Sequence, residues 1–161
     1  MLIGLIIVLI GMTVAVPSFQ GMVARNNVAT EVNEMLLAIN LARSEAGRQG
    51  TGISVQAKAA VEGNEFGAGY CVVPSSQGNC DANVIRDFPA TNEDASLDFI
   101  DAGGATAIVF SARGGLQGFD NVSLDYCYEG QQGRRIFISP IGRAKSYRPI
   151  NDVPEALRPV C

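Results

Sequence analysis

The sequence predicts an α+β chain in which one long N-terminal helix is laid on an antiparallel β-sheet domain. An apolar run without a charge before Arg25 passes directly into a stripe of apolar residues at helical spacing. Beyond Gly50 the pattern changes to short alternating runs separated by Gly, Pro, Asn and Ser, the mark of antiparallel strands. A helix followed by strands, rather than strands alternating with helices, selects α+β over a parallel α/β sheet.

Residues 1–16 are interrupted only by Gly4, Gly11 and Thr13, so this first half of the helix has no polar face and is expected to sit in a membrane or be covered by other helices. At 1.5 Å per residue it reaches roughly 24 Å, short of the ~30 Å hydrocarbon core that takes about 20 residues to cross. An anchor about five residues longer at its front end is therefore expected. An ordinary signal peptide needs a basic stretch before the apolar run and a small-residue cleavage site after it, and Pro17-Ser18-Phe19 leads into more helix instead. Pro17 removes a backbone donor inside the rod, so a kink or a locally melted turn is expected there. Gly4 and Gly11 lie on nearly one helix face, where they would allow close helix approach.

From 17 to 50 the helix is amphipathic. Val28, Val32, Met35, Ile39, Ala42 and Ala46 follow one another at intervals of 4, 3, 4, 3 and 4, and Leu36, Leu37 and Leu41 widen that face enough to pack on a sheet. Gly47 and Gly50 are expected to stop it. Residues 51–161 then form the globular domain. Strands are expected near Ile53 to Ala59, Gly69 to Val73, Thr106 to Phe110, Val122 to Tyr128, Arg134 to Ser139 and Arg143 to Tyr147. The polar stretch from Pro89 to Gly104 reads as a long connection with one short strand at Leu97 to Ile100.

The net charge of −4 over 161 residues conceals a segregation. Between Glu62 and Glu129 eleven acids face two bases, whereas between Arg134 and Arg158 six bases face two acids. Histidine is absent, which removes most zinc ligand sets and every Ser-His or Cys-His nucleophile pair; neither a catalytic constellation nor a cofactor site is expected. Cys71, Cys80, Cys127 and Cys161 contain no C-x-x-C spacing. Disulfides in an oxidising compartment are the better reading. Three pairings are open, and Cys71–Cys80 with Cys127–Cys161 is favoured. Glu93, Asp94, Asp98 and Asp101 lack the ordered spacing of a calcium loop, and Gly103-Gly104 and Gly114-Gly115 are turns rather than phosphate loops.

Several segments together resemble one family. Ile6 through Val16-Pro17-Ser18-Phe19 is similar to the N-terminal helix of type IV pilins and pseudopilins. Leu41-Ala42-Arg43-Ser44-Glu45-Ala46 resembles the LARSEA element that ends this helix in the GspH/FimT family. Ile108-Val109-Phe110-Ser111-Ala112-Arg113-Gly114 resembles that family's I-x-F-x-x-x-G strand and turn, and Ile136 through Gly142-Arg143 its late strand and G-R turn. The resemblance implies a pilin-like fold and a non-enzymatic subunit, made as a prepilin, cleaved and N-methylated. Such a subunit is held in the inner membrane by a single span, with its domain in the periplasm, and is then drawn into a filament with other pilin or pseudopilin subunits. The family's Phe-Thr-Leu-Ile-Glu, whose glutamate pairs with a neighbouring subunit's amino terminus, has no counterpart after Met1, and it is expected in the missing front of the anchor.

Within the family the four cysteines resemble the minor-pilin branch of type IV pili more than the type II secretion pseudopilin. Minor pilins of the FimT kind carry a G-R-x-R motif that binds DNA in natural transformation, and Gly142-Arg143-Ala144-Lys145 resembles it with lysine for the second arginine. The candidate DNA-binding residues are Arg143, Lys145 and Arg148, with Tyr147 available for stacking. Arg143 and Lys145 alternate at strand spacing and are expected on one face. Non-sequence-specific, salt-sensitive contact with the phosphates of double-stranded DNA would follow; the competing reading is a solvated basic surface.

Overall fold

The computed structural model describes residues 2–92, 95–100, 105–128 and 133–148, with side chains at 22–23 and from 25 onward. Helix α1 (Leu2–Gln49) comes first, and its second half is held by the expected stripe. Val28 is 3% exposed, and Val32, Met35, Ile39, Ala42 and Ala46 are wholly buried, with Ala38 beside them. Leu36 and Leu41 pack partly against this core, but Leu37 points outward, 45% exposed. At 100° per residue it falls about 180° from the stripe's centre, so it does not widen that face.

The helix ends one residue before Gly50. Gly50 adopts φ +65 and donates its N–H to the carbonyl oxygen of Ala46 at 3.0 Å, which is the single-bond left-handed cap that glycine allows. Gly47, expected to share the stop, lies inside the helix. The helix also runs unbroken through Pro17, so the melted turn expected there does not form; one missing donor leaves the flanking turns bonded. Among the described residues no helix is long and apolar enough to cross a membrane, and the side chains of the apolar run at 1–16 lie outside them.

Among the described residues eight strands follow: β1 (Ile53–Ala57), β2 (Tyr70–Pro74), β3 (Arg86–Phe88), β4 (Ala95–Ile100), β5 (Ala107–Phe110), β6 (Val122–Tyr128), β7 (Arg134–Ile138) and β8 (Ala144–Tyr147). They form two antiparallel sheets, in the orders β3-β2-β1-β5 and β4-β6-β7-β8. Helix α1 lies against strands of both. Its stripe meets Val55, Tyr70, Val72, Ile108 and Phe110 of the first sheet and Leu97, Leu124, Tyr126, Ile136 and Ile138 of the second in one core. Strand β1 is buried along its whole length, because both its edges are paired and the helix covers it.

The outer edge of β4 would present bare backbone groups, and the segment 64–66 satisfies them. Leu97 donates its N–H to Asn64 Oδ1 at 2.8 Å, Phe99 donates to Glu65 Oε2 at 3.1 Å, and the Phe66 N–H donates to the Leu97 carbonyl at 3.1 Å. A covered edge cannot pair with a foreign strand. A disulfide between Cys71 on β2 and Cys80, with Cα atoms 5.8 Å apart, closes the loop that follows β2. Cys127 is also disulfide-bonded; its expected partner, Cys161, lies outside the described residues.

Candidate functional site

The β7–β8 hairpin carries the residues singled out from the sequence. Its turn is fixed by Ser139. The Gly142 N–H donates to the Ser139 carbonyl at 2.8 Å and the Ser139 N–H to the Arg143 carbonyl at 3.0 Å. The Ser139 hydroxyl both accepts from the Arg143 N–H and donates to the Arg143 carbonyl, each at 3.2 Å. Arg143 therefore leaves the turn with its backbone tied and its side chain exposed. Strand β8 then pairs Lys145 with Phe137 and Tyr147 with Arg135. Strand alternation puts Arg143, Lys145 and Tyr147 on one face, and Ala144 and Ser146 on the face toward α1.

Arg148 is not brought to this cluster. It follows β8, about 16 Å along the strand from Arg143, and its neighbour is Arg134. Burial lowers the Arg134 pKa below the usual arginine range, and the Arg148 charge beside it lowers it further. Lys145 and Arg148 are both exposed, so the three candidate cations form a row along the hairpin rather than a single pocket.

A second turn meets the first. After β5, the Gly114 N–H donates to the Ser111 carbonyl at 2.7 Å, the Ser111 N–H to the Gly115 carbonyl at 2.9 Å, and the Leu116 N–H to the Pro140 carbonyl at 2.9 Å. Arg43 reaches across from α1 and donates its Nε–H to the Gly114 carbonyl at 3.2 Å. Gly142 has φ +76, and a methyl group there would strike both that carbonyl oxygen and the Arg43 side chain. Three of the four segments that carried the family resemblance thus converge on one corner. It exposes Arg113 as well as Arg143. Arg113 was missed from the sequence because nothing in its spacing connects position 113 with 143; its place immediately before the glycine of a turn motif was the only available signal.

Three other cations are already engaged in ion pairs. Arg48 bonds Glu45 at 2.6 Å and Lys58 bonds Asp87 at 2.7 Å, the latter in a hollow lined also by Asn79, Cys80, Asp81 and Val84. Arg135 and Asp125, facing one another across β6 and β7, form a buried pair at 2.6 Å. Among the described residues, Arg113, Arg143, Lys145 and Arg148 form no ion pair.

The second sheet divides its charge by edge. Asp98 on β4 faces Asp125, Asp125 faces Arg135, and Arg135 faces Tyr147 on β8. On the acidic side, burial, a hydrogen bond to Glu65 and the charges of Glu65 and Asp125 push the Asp98 carboxyl up to about 6. Burial acts to raise Glu65 too, but hydrogen bonds from the Phe99 amide, Asp98, its own amide and the Gly63 amide outweigh it and hold Glu65 below the ordinary carboxylate range. Below about pH 6 the shared proton sits on Asp98, whose carboxyl then donates a hydrogen bond to Glu65. Of the other acids weighed for calcium, Glu93, Asp94 and Asp101 lie outside the described residues.

A family model described as "Type II transport protein GspH" matches residues 31–142. Among solved structures, the chain is similar to the type IV minor pilin FimU of Pseudomonas aeruginosa strain PAO1 in two crystal forms. One is 24% identical with a TM-score of 0.64, covering 75% of this chain and 88% of that one. The other is 25% identical with a TM-score of 0.59, covering 76% and 91%. The minor pseudopilin EpsH from the Type 2 Secretion System of Vibrio cholerae is 14% identical with a TM-score of 0.53, covering 78% and 97%, a likeness of fold alone. No curated protein matches significantly.

Proposed function

The chain belongs to the GspH family of pilin-like proteins, and on that premise we propose that it is a minor pilin, a structural subunit of a type IV pilus. The apolar first half of α1 holds it in the inner membrane before assembly and lies in the filament core afterwards, while the disulfide-stabilised domain stands in the periplasm and then on the filament surface. Disulfides suit that oxidising route.

The observation that carries this reading is the outward face of α1. Asn26, Thr30, Asn33, Leu37, Asn40 and Ser44 are all exposed and follow one another at intervals of 4, 3, 4, 3 and 4, directly behind the buried stripe. None is charged. A solvated helix face ordinarily carries Lys and Glu; an uncharged exposed stripe at seam spacing suits burial against another helix. Recovery of the chain in filaments sheared from cells supports the proposal, and exclusive recovery with the inner membrane overturns it. The alternative is a secretion pseudopilin; presence in pseudopili and absence from pili would select it.

A second reading adds DNA binding. Arg143 and Lys145 share a face and stand exposed, which suits phosphate contact. Lysine in place of arginine forfeits bidentate geometry but keeps the charge. Mobility of labelled duplex with the wild-type chain against Arg143→Ala plus Lys145→Ala tests it; equal shifts, or none, count against it.

A further inference from the structure

We propose that Arg113 is a second arm of the duplex-binding surface, set beside Arg143 by the corner that Arg43 closes, so that phosphates are met from two turns rather than from β8 alone. The inference rests on the DNA-binding reading above and extends it to a residue outside the Gly142-Arg143-Ala144-Lys145 motif.

Its basis is the contact between the two turns. The Gly114 carbonyl faces Gly142 so closely that no Cβ fits between them, and the Leu116 N–H donates to the Pro140 carbonyl at 2.9 Å. Arg113 immediately precedes Gly114, and Arg143 immediately follows Gly142. Their Cα atoms are therefore within roughly 14 Å of each other, since each lies one 3.8 Å step from the contact between the two glycines. Both side chains are exposed and neither is neutralised by an ion pair among the described residues. Two long cationic side chains within this reach can meet separate phosphates of a duplex, which carries one charge per roughly 3.4 Å of helix axis on each strand. Arg148, at the far end of the hairpin, is too distant to play this part.

An anionic membrane surface offers the same phosphate chemistry, but the position of the corner disfavours it. Arg43 lies 27 residues beyond position 16, where the apolar run ends, or roughly 40 Å along the helix. The corner is thus carried away from any bilayer that holds the anchor.

The test uses the full chain in non-ionic detergent and a labelled duplex of arbitrary sequence, titrated over a range of salt. Arg113→Gln is expected to weaken binding about fivefold at physiological salt and to make the plot of log affinity against log salt shallower by about 0.9, the signature of one lost phosphate contact. Arg113→Lys is expected to restore both, because a phosphate contact needs charge rather than a particular donor geometry. A loss of fold alone would not be repaired in the slope by lysine. If the wild-type chain binds duplex and Arg143→Ala plus Lys145→Ala weakens it, while Arg113→Gln leaves affinity and slope unchanged, the inference is overturned and the DNA reading stands. If the wild-type chain does not bind duplex, the DNA reading itself fails. Binding to phosphatidylglycerol vesicles that depends on Arg113, without binding to duplex, would assign the corner to lipid and overturn the proposal.

Discussion

Arg43 donates its Nε–H to the carbonyl oxygen of Gly114, 71 residues further on, at 3.2 Å. This bond ties the second half of α1 to the two turns that present Arg113 and Arg143. Arg43→Met keeps the aliphatic stem against Gly114 and Gly142 but removes the donor. Loss of a partly buried bond from a charged group should cost about 1–2 kcal/mol, measurable by chemical denaturation; an unchanged midpoint would show that packing of the stem alone holds the corner.

The same corner separates two glycines that share a left-handed backbone. At Gly50 an added Cβ meets nothing within 4 Å, so Gly50→Ala should cost only the conformational penalty, about 1 kcal/mol. At Gly142 the methyl must also displace the Gly114 carbonyl, and Gly142→Ala should lose more than about 2 kcal/mol. Equal melting temperatures for the two variants would contradict the contact between the turns.

Much of this fold was legible because period and burial coincide. Every residue of the stripe from Val28 to Ala46 is in the core, and among the described residues seven of the eight strands overlap stretches marked by alternation and turn residues. Strand β3 escaped because three residues, Arg86 to Phe88, are too few to show a period, and they gain their partners from β2. The division into two sheets was equally illegible, since it depends on which distant strands pair. Leu37 was misplaced for a simpler reason: an apolar residue on a helix is read as core unless its angular position is checked against the stripe. At the candidate site the strand alternation of Arg143 and Lys145 could be read, but the separation of Arg148 and the approach of Arg113 are properties of the hairpin's length and of a contact between turns.

The paired carboxyls Asp98 and Glu65 predict a pH dependence. The unfolded value for Asp98 is 3.8 and the folded value about 6, so between these the native state holds a proton that the unfolded chain has released. The stability contributed by Asp98 is complete below 3.8 and is lost as pH rises through about 6. Glu65, held low, contributes with the opposite sign and loses its contribution on acidification below its ordinary range. Asp98→Asn keeps a donor toward Glu65 without a titrating charge near Asp125. It should flatten the stability profile between about pH 4 and 6 and raise stability at neutral pH by on the order of 1 kcal/mol, after screening of a partly exposed group. A profile parallel to wild type would show that the pair does not share a proton.

Removal of the Cys71–Cys80 bridge as Cys71→Ser plus Cys80→Ser releases a loop with a sequence separation of 9. The chain-entropy relation gives a loss of about 2–3 kcal/mol. The double variant isolates this bridge, whereas a reducing agent would also open the one at Cys127. An unfolding midpoint within error of wild type would mean that β2 and β3 hold the loop unaided.

Assembly into a filament through the outward face of α1 is tested most directly at Leu37. Leu37→Glu places a charge in the middle of the uncharged stripe, where it touches no part of the domain's own core, so thermal unfolding and the amount in the inner membrane should match wild type. Quantitation of the chain in sheared filaments should find wild type present and Leu37→Glu reduced to a small fraction of it, because a charge buried between helices without a partner is disfavoured. Equal incorporation of the two proteins, or absence of wild type from the filaments, would contradict the account.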